Sequence, residues 1–266
     1  MPNTLDETQE RETLDNNEYL FYTFMPDSKV KKNNLGFFLL NNSIETYSYI
    51  TPTPYGEEEF EQFLNYTFSF FEGRNKYFIL KHPYNENYQR NSKVLRDRKF
   101  IPSFVDISVM KLQPSNNLNK PNPALKIKHI SKKKINKWVN IFFDSFQYPK
   151  LLLKYITRMV SMQIDNGVDF YVGYVSNKDV SCFCTLNDNK ITGIYGVGTR
   201  NVFRRRGYAT AMLSNYLNDQ LVIKPNMTYC LQVHKNSGAE ELYRKMGFET
   251  SYVQKRFDWN PLTLDV

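Results

Sequence analysis

The chain reads as an α/β protein built on a mixed, mostly antiparallel sheet flanked by helices, and the pattern occurs twice. Three observations predict this. Short alternating apolar segments separated by polar turns fill 170–199, the period switches to helical after Arg206, and the order strand, loop, helix, strand recurs in 77–112.

In the second half the elements follow in order. Leu125, Ile127 and His129 alternate as a strand, and Ser131 is a helix cap ahead of Ile135, Trp138, Val139, Phe142 and Phe143 at helical spacing. A second helix spans 150–164. Phe170, Val172 and Tyr174, then Val180, Cys182, Cys184 and Leu186, then 191–199 are three antiparallel strands, with turns at 176–179 and 187–189. Ala209, Met212, Leu213, Tyr216 and Leu217 recur at i, i+3, i+4, i+7 and i+8 of a helix. Pro225 and Asn226 turn the chain into the strand of Tyr229, Leu231 and Val233. Ala239, Leu242, Tyr243 and Met246 give a short helix closed by Gly247 as a left-handed cap, and Tyr252, Val253 and Phe257 a last strand.

Composition bounds the function classes. With 266 residues, 41% hydrophobic and 15% aromatic, the chain is long and apolar enough to fold into two domains. No run approaches the roughly 18 apolar residues of a membrane span, so no membrane partner is expected. The acidic, polar start MPNTLDETQERETLD lacks the character of a signal or transit peptide, which makes the expected address cytoplasmic. Cys182, Cys184 and Cys230 have no metal or redox spacing and read as buried free thiols, with no metal site expected. The net charge of +8 is scattered except at 131–137, a pattern of solvated surface; it suits a phosphate-bearing ligand and calls for no nucleic acid.

One loop carries chemistry. In IYGVGTRNVFRRRGYATAMLSNYL, Arg204, Gly207 and Ala209 fill Arg/Gln-x-x-Gly-x-Gly/Ala between a strand and a helix. Backbone amides at a helix N-terminus can face a pyrophosphate there. Gly207 permits close approach, Ala209 leaves the first turn uncrowded, and Arg204, Arg205 and Arg206 add charge. Beginning 29 residues after Gly207 is NSGAEELYRKMGFE, from Asn236 to Glu249.

These two segments resemble motifs A and B of the GNAT superfamily of acyl-CoA-dependent N-acyltransferases, and the resemblance covers 125–259. It implies a splayed strand pair that receives the pantetheine arm of acetyl-CoA (coenzyme A as acyl donor), with Val197, Gly198 and Thr199 pairing to it. It implies a pyrophosphate held by Arg205, Arg206, Gly207, Tyr208, Ala209 and Thr210, and a pantetheine contact from Asn236, although the loop before the last helix is one residue short of the family pattern. Tyr243 takes the position of the general acid that protonates the leaving thiolate after direct attack by an amine. A phenol of reference pKa near 10 holds its proton at neutral pH. The other reading of Tyr243 is a core aromatic beside Ala239 and Met246. The strand 191–197 has no carboxylate or histidine to act as base, and neither Tyr195 nor His234 is assigned that role. The family places acceptor choice in the first two helices, where Phe142, Phe143, Phe146 and Tyr148 are either pocket or core. The expected acceptor is a small-molecule primary amine; the alternatives are a protein or peptide amine, or a non-catalytic acyl-CoA-binding regulator.

The first half overlays the second as a degenerate copy; the other reading is an unrelated α/β domain. Arg98, Lys99 and Phe100 fall against Met246, Gly247 and Phe248, Gly56 against Gly207, and Leu95 against Tyr243. Glu57, Glu58 and Glu59 stand where phosphates would sit. The expected domains are 1–120, degenerate and ending in the Asn- and Pro-rich linker 111–123, and 121–266, catalytic.

Overall fold

The computed structural model describes residues 7–44, 48–52, 56–71, 76–112, 124–188 and 191–261. In chain order the elements are α1 (Glu7–Thr23), β1 (Ser28–Asn33), β2 (Gly36–Asn41), β3 (Tyr49–Pro52), α2 (Glu57–Phe70), β4 (Phe78–Pro83), α3 (Tyr88–Asp97), β5 (Ile101–Pro102), β6 (Ile107–Leu112), β7 (Leu125–His129), α4 (Ile135–Phe146), α5 (Leu153–Asp165), β8 (Val168–Val175), β9 (Lys178–Asp188), β10 (Ile191–Thr199), α6 (Tyr208–Ile223), β11 (Thr228–His234), α7 (Gly238–Lys245) and β12 (Phe248–Trp259). This is the mixed, mostly antiparallel α/β architecture expected. Ser131 departs from expectation: it opens a 3-10 turn at Lys132–Lys134, and its side chain caps nothing. Of the expected linker, 113–123 lies outside the described residues, and Lys111 and Leu112 belong to β6.

Two compact units form, and neither is a contiguous half. One comprises the described parts of 1–24, 110–232 and 236–251; the other those of 25–109, 233–235 and 252–266. These units do not follow chain order: α1 lies with the elements of the second half, and the end of β12 with those of the first.

In the first unit β7, β8, β9 and β10 are successive antiparallel neighbours. Alternation along β8 sends Phe170 to Trp138 of α4 and Tyr171 to Tyr216 of α6, so these helices cover opposite faces. Helix α1 joins the α4 side. Asn17, fully buried, donates to the Leu186 carbonyl at 3.2 Å and accepts the Tyr195 hydroxyl at 2.6 Å, while Phe21 stacks on Tyr195 at 3.9 Å. Tyr195 is thereby a packing residue: burial pushes its phenol well above its ordinary value and its proton is committed to Asn17.

In the second unit β1, β2 and β3 are antiparallel, β3 and β4 parallel, and β12 closes the row by pairing Gln254–Trp259 against Phe78–Pro83. The core is aromatic. α2 contributes Phe60, Phe63, Leu64 and Phe70 at helical spacing, and Trp259 sits among Phe68, Phe100 and Phe78 at ring distances of 5.0, 5.1 and 6.1 Å. Trp259→Ala should cost about 3–5 kcal/mol, the usual range for emptying so large a core site. Urea denaturation checks this, and a midpoint equal to wild type would remove Trp259 from the core.

The end of α3 bears on the overlay of the two halves. Gly247, after α7, has φ +91° and Lys99, after α3, has φ +71°, so both chains leave a short helix through a left-handed residue. Phe248 and Phe100, each next in sequence, are each 2% exposed. Gly56 differs from Gly207, having φ −57° against +73°.

Candidate active site

Strands β10 and β11 pair in parallel only through Ile191–Gly193 and Thr228–Cys230. Beyond Gly193 they part, and the pairing of β10 with β9 also shifts register between Tyr195 and Gly198, as at a β-bulge. α4 lies against this stretch. A Cβ on Gly196 would stand 3.1 Å from Trp138 Cζ2, and one on Gly198 2.8 Å from Ser145 Oγ. Small residues are needed for the helix to seat. Val197, Gly198 and Thr199 occupy the splayed part, and Thr199 Oγ1 lies 3.0 Å from Ser181 Oγ.

The following loop is anchored at one end and open at the other. Arg200 donates its amide to the Val180 carbonyl and its guanidinium to Asp179. The 3-10 turn Asn201–Phe203 is tied to the end of α4: Asp144 Oδ2 accepts the Asn201 amide at 3.0 Å, and Asn201 Nδ2 donates to the Asp144 carbonyl at 2.9 Å. The Arg204 guanidinium donates to the Ser145 carbonyl and, at 3.4 Å, to that of Thr199. Arg204, expected to add charge for a pyrophosphate, also ties the loop to α4 through its guanidinium. Its charge is held at the C-terminal end of α4, where cations are favoured, and it positions the loop.

From Arg205 the backbone turns outward. Arg205 and Gly207 have φ of +59° and +73°, flanking Arg206 in the alternation that points successive amides into one concavity. α6 starts at Tyr208, and Ala211 is the first of its amides with an intrahelical acceptor, Gly207 O at 2.9 Å. The amides of Tyr208, Ala209 and Thr210 precede that bond and no side chain caps them. Nothing lies within 4 Å of a Cβ built on Gly207, so the concavity is open. Arg206 lies over the Phe203 ring at 5.9 Å.

At α7, Ser237 Oγ accepts the Glu240 amide at 3.2 Å, and Glu240 Oε2 reaches back to the Asn236 amide at 2.6 Å. Glu240 also pairs with Arg244, at 2.9 Å. Asn236 has φ +60° and is exposed. Tyr243 is 8% exposed, meets Phe248 edge-on at 5.9 Å, and has its phenol pushed up to about 12 by burial. It is both a packed aromatic and a firmly protonated acid.

The aromatics of α4 adjoin the splayed strand. Phe142 stacks on Trp138 at 4.8 Å and Tyr148 at 5.3 Å, and packs on Phe146 at 4.7 Å. Phe146 Cε2 stands 3.2 Å from a Cβ built on Gly198, yet the residue is 46% exposed, so the cluster is neither pure core nor isolated surface. Asp144 and Asn17 went unnoticed in the sequence, since neither belongs to a motif and only packing brings them to this strand. Among the described residues no group of three or more His, Cys, Asp or Glu is arranged to hold a metal, and all three cysteines are free and buried.

The FR47-like protein family, which is GNAT-related, matches residues 171–257, the span holding the splayed strands, the open loop and Tyr243. Solved structures extend the likeness to most of the chain. A GCN5-related N-acetyltransferase from Kribbella flavida aligns with a TM-score of 0.66 at 12% identity, over 92% of this chain and 94% of that one. The fold is the GNAT fold. One from Sphaerobacter thermophilus aligns at 0.60 and 13% identity, over 84% and 76% of the two chains. A tandem GNAT protein from the clavulanic acid biosynthesis pathway aligns at 0.58 and 8%, over 88% and 83%. No curated protein sequence matches the chain. The GNAT resemblance read from motifs A and B therefore holds at the level of fold.

Proposed function

We propose that the protein is an acetyl-CoA-dependent N-acetyltransferase that moves an acetyl group to the primary amine of a small molecule by direct attack. The observation that carries this reading is the run of outward-facing amides at 205–210, set directly after a strand that has parted from its neighbour. The concavity fits a pyrophosphate because its amides lack acceptors and Gly207 leaves it unobstructed. Arg205 and Arg206 are exposed at its rim, and Asn236 is exposed before α7 to contact a pantetheine arm. When bound, acetyl-CoA would supply an acyl group activated as a thioester.

The chain's own residues then have separable tasks. The backbone of Val197, Gly198 and Thr199, paired to β9 on one side at Gly198 and Thr199 and open toward β11, orients the arm, and the aromatic cluster of α4 bounds the acceptor side. Tyr243 retains its proton at neutral pH and delivers it to the departing sulfur. No described residue of β10 is a base, which favours acceptors whose amine is already neutral. Among the described residues no helix is long and apolar enough to cross a membrane, and a cytoplasmic address remains part of the proposal. A protein or peptide amine as acceptor is the enzymatic alternative; a non-catalytic acyl-CoA-binding regulator is the other, and the retention of Tyr243 argues against it.

The second unit is read as a GNAT relic that binds no acetyl-CoA. The Glu59 carboxylate folds back onto Gly56, an anion where the second half presents open amides. Leu95 is fully buried in the aromatic core at the position of Tyr243. One acetyl-CoA per chain is the expected stoichiometry.

The deciding experiment is a panel of small amines and peptides assayed for thiol release from acetyl-CoA. Tyr243→Phe should lower kcat by about 10²-fold with cofactor affinity unchanged, as loss of a general acid does. A wild-type rate in that variant would leave Tyr243 as packing alone, and tight acetyl-CoA binding with no turnover on any amine would favour the regulator.

A further inference from the structure

A second charged site lies at the other end of α4. The edge strand β7, the turn Lys132–Lys134, the start of α4 and the hairpin joining β8 to β9 enclose a cavity of about 380 Å³. Lys126, Lys128, Lys134 and Lys137 line it, with Tyr174 and Asn177, and none of its ten lining residues is acidic. Strand alternation places Lys126 and Lys128 on one face of β7, while Lys134 and Lys137 fall one turn apart where α4 begins. The ammonium groups of Lys128 and Lys137 each lie 5.4 Å from the centroid of the same Tyr174 ring.

Two nearby groups, one of them the lining residue His129, have carboxylate partners. Lys132 pairs with Asp165 and His129 with Asp169, whereas the four cavity lysines form no ion pair with another described residue. A solvated lysine face would spread such charges outward. Here the four lysines are exposed but converge on one concave pocket, and two of their ammonium groups share one ring, an arrangement that self-repels until an anion stands between them.

We infer that this cavity binds a small organic polyphosphate. Lysines act as compact point charges with rotatable donors and suit phosphate oxygens without imposing planar geometry. Four of them match the charge of two or three phosphates, and the volume is that of a small-molecule pocket. The site is distinct from the loop at 204–210. α4 has 12 residues, about 18 Å of helix, with Lys137 in its first turn and Asp144 and Ser145, which hold that loop, in its last. The inference does not depend on the acetyltransferase reading.

The test is calorimetric titration of inorganic triphosphate into the full chain and into its Gly207→Glu variant, which blocks the loop. Triphosphate should still bind the Gly207→Glu protein. In that background Lys128→Gln with Lys137→Gln should weaken it by about tenfold or more, the effect of losing charged hydrogen-bond donors. Lys31→Gln with Lys93→Gln, an equal loss of charge at exposed positions of the other unit, should leave affinity within about twofold because distant surface charges are screened. Equal weakening in both pairs would mean diffuse charge, and loss of all binding in Gly207→Glu alone would mean the loop is the one site; either overturns the inference. So would a single-stranded oligonucleotide that binds more tightly than triphosphate and displaces it, since the ligand class would then be nucleic acid. Near-ultraviolet circular dichroism of each variant confirms that the fold is kept.

Discussion

Removing residues 1–24 is expected to unfold the unit that carries the GNAT motifs, although every motif residue would remain. α1 buries Leu14, Tyr19 and Phe21, and burial of side chains of that size is worth about 1.5–3 kcal/mol each. Asn17 satisfies both the Leu186 carbonyl and the Tyr195 hydroxyl inside the core, and stranding such groups adds roughly 1–3 kcal/mol apiece. The loss is comparable to the whole stability of a domain, about 5–15 kcal/mol. Near-ultraviolet circular dichroism and urea denaturation of the truncated chain check it. A cooperative transition at the wild-type midpoint would show that α1 is dispensable. The same reasoning applies to a fragment beginning at residue 125, which carries both motifs and lacks α1.

Gly207→Glu is expected to abolish measurable acetyl-CoA binding while the fold survives. A non-glycine residue at φ +73° costs about 1–2 kcal/mol of backbone strain, which a folded domain tolerates. The space around Gly207 is open, so no steric clash adds to that cost. The new carboxylate would enter the concavity formed by the amides of 205–210 and compete there with pyrophosphate. Charged hydrogen bonds are worth about 1.5–3 kcal/mol each, so losing two corresponds to at least about 10²-fold in affinity. Gly207→Ala separates the causes, carrying the strain without the charge. Calorimetry should find one site per chain in wild type, weakened binding in the alanine variant, whose Cβ narrows the approach, and none in the glutamate variant. Undiminished affinity in Gly207→Glu would remove the loop from the cofactor assignment, and two equivalent sites in wild type would refute the reading of the acidic turn at Glu57–Glu59 as a bar to phosphate.

The sequence by itself determined what depends on local chemistry. Alternation in 170–199 and the helical period after Arg206 placed β8, β9, β10 and α6, because side-chain direction follows backbone period. Gly247 marked a left-handed residue before the backbone was known, since φ above zero is cheap only without a Cβ, whereas Gly207 was read for close approach and its φ of +73° came with the structure. Lys99 was legible only through its alignment with Gly247; a lysine in that conformation carries no signal of its own. The motif spacing likewise placed Tyr243 on a short helix, and burial then supplied the raised phenol pKa.

Tertiary structure decided everything that depends on distant partners. Arg204 belongs to the motif by sequence, yet the end of α4 claims its guanidinium through carbonyls that no spacing rule connects to it. Tyr195 became a packing residue because the side chain of Asn17, 178 residues away in the chain, accepts its hydroxyl's hydrogen bond. The lysines of 126–137 look like dispersed surface charge until β7, the start of α4 and the β8–β9 hairpin gather them around Tyr174. The units themselves run against chain order: α1 groups with β9 and β10 through Asn17 and Phe21, and the end of β12 with β4 through its strand pairing. Burial is settled by which surfaces meet, and hydrophobic area is non-directional, so a local pattern names the face a segment must hide without naming what will cover it.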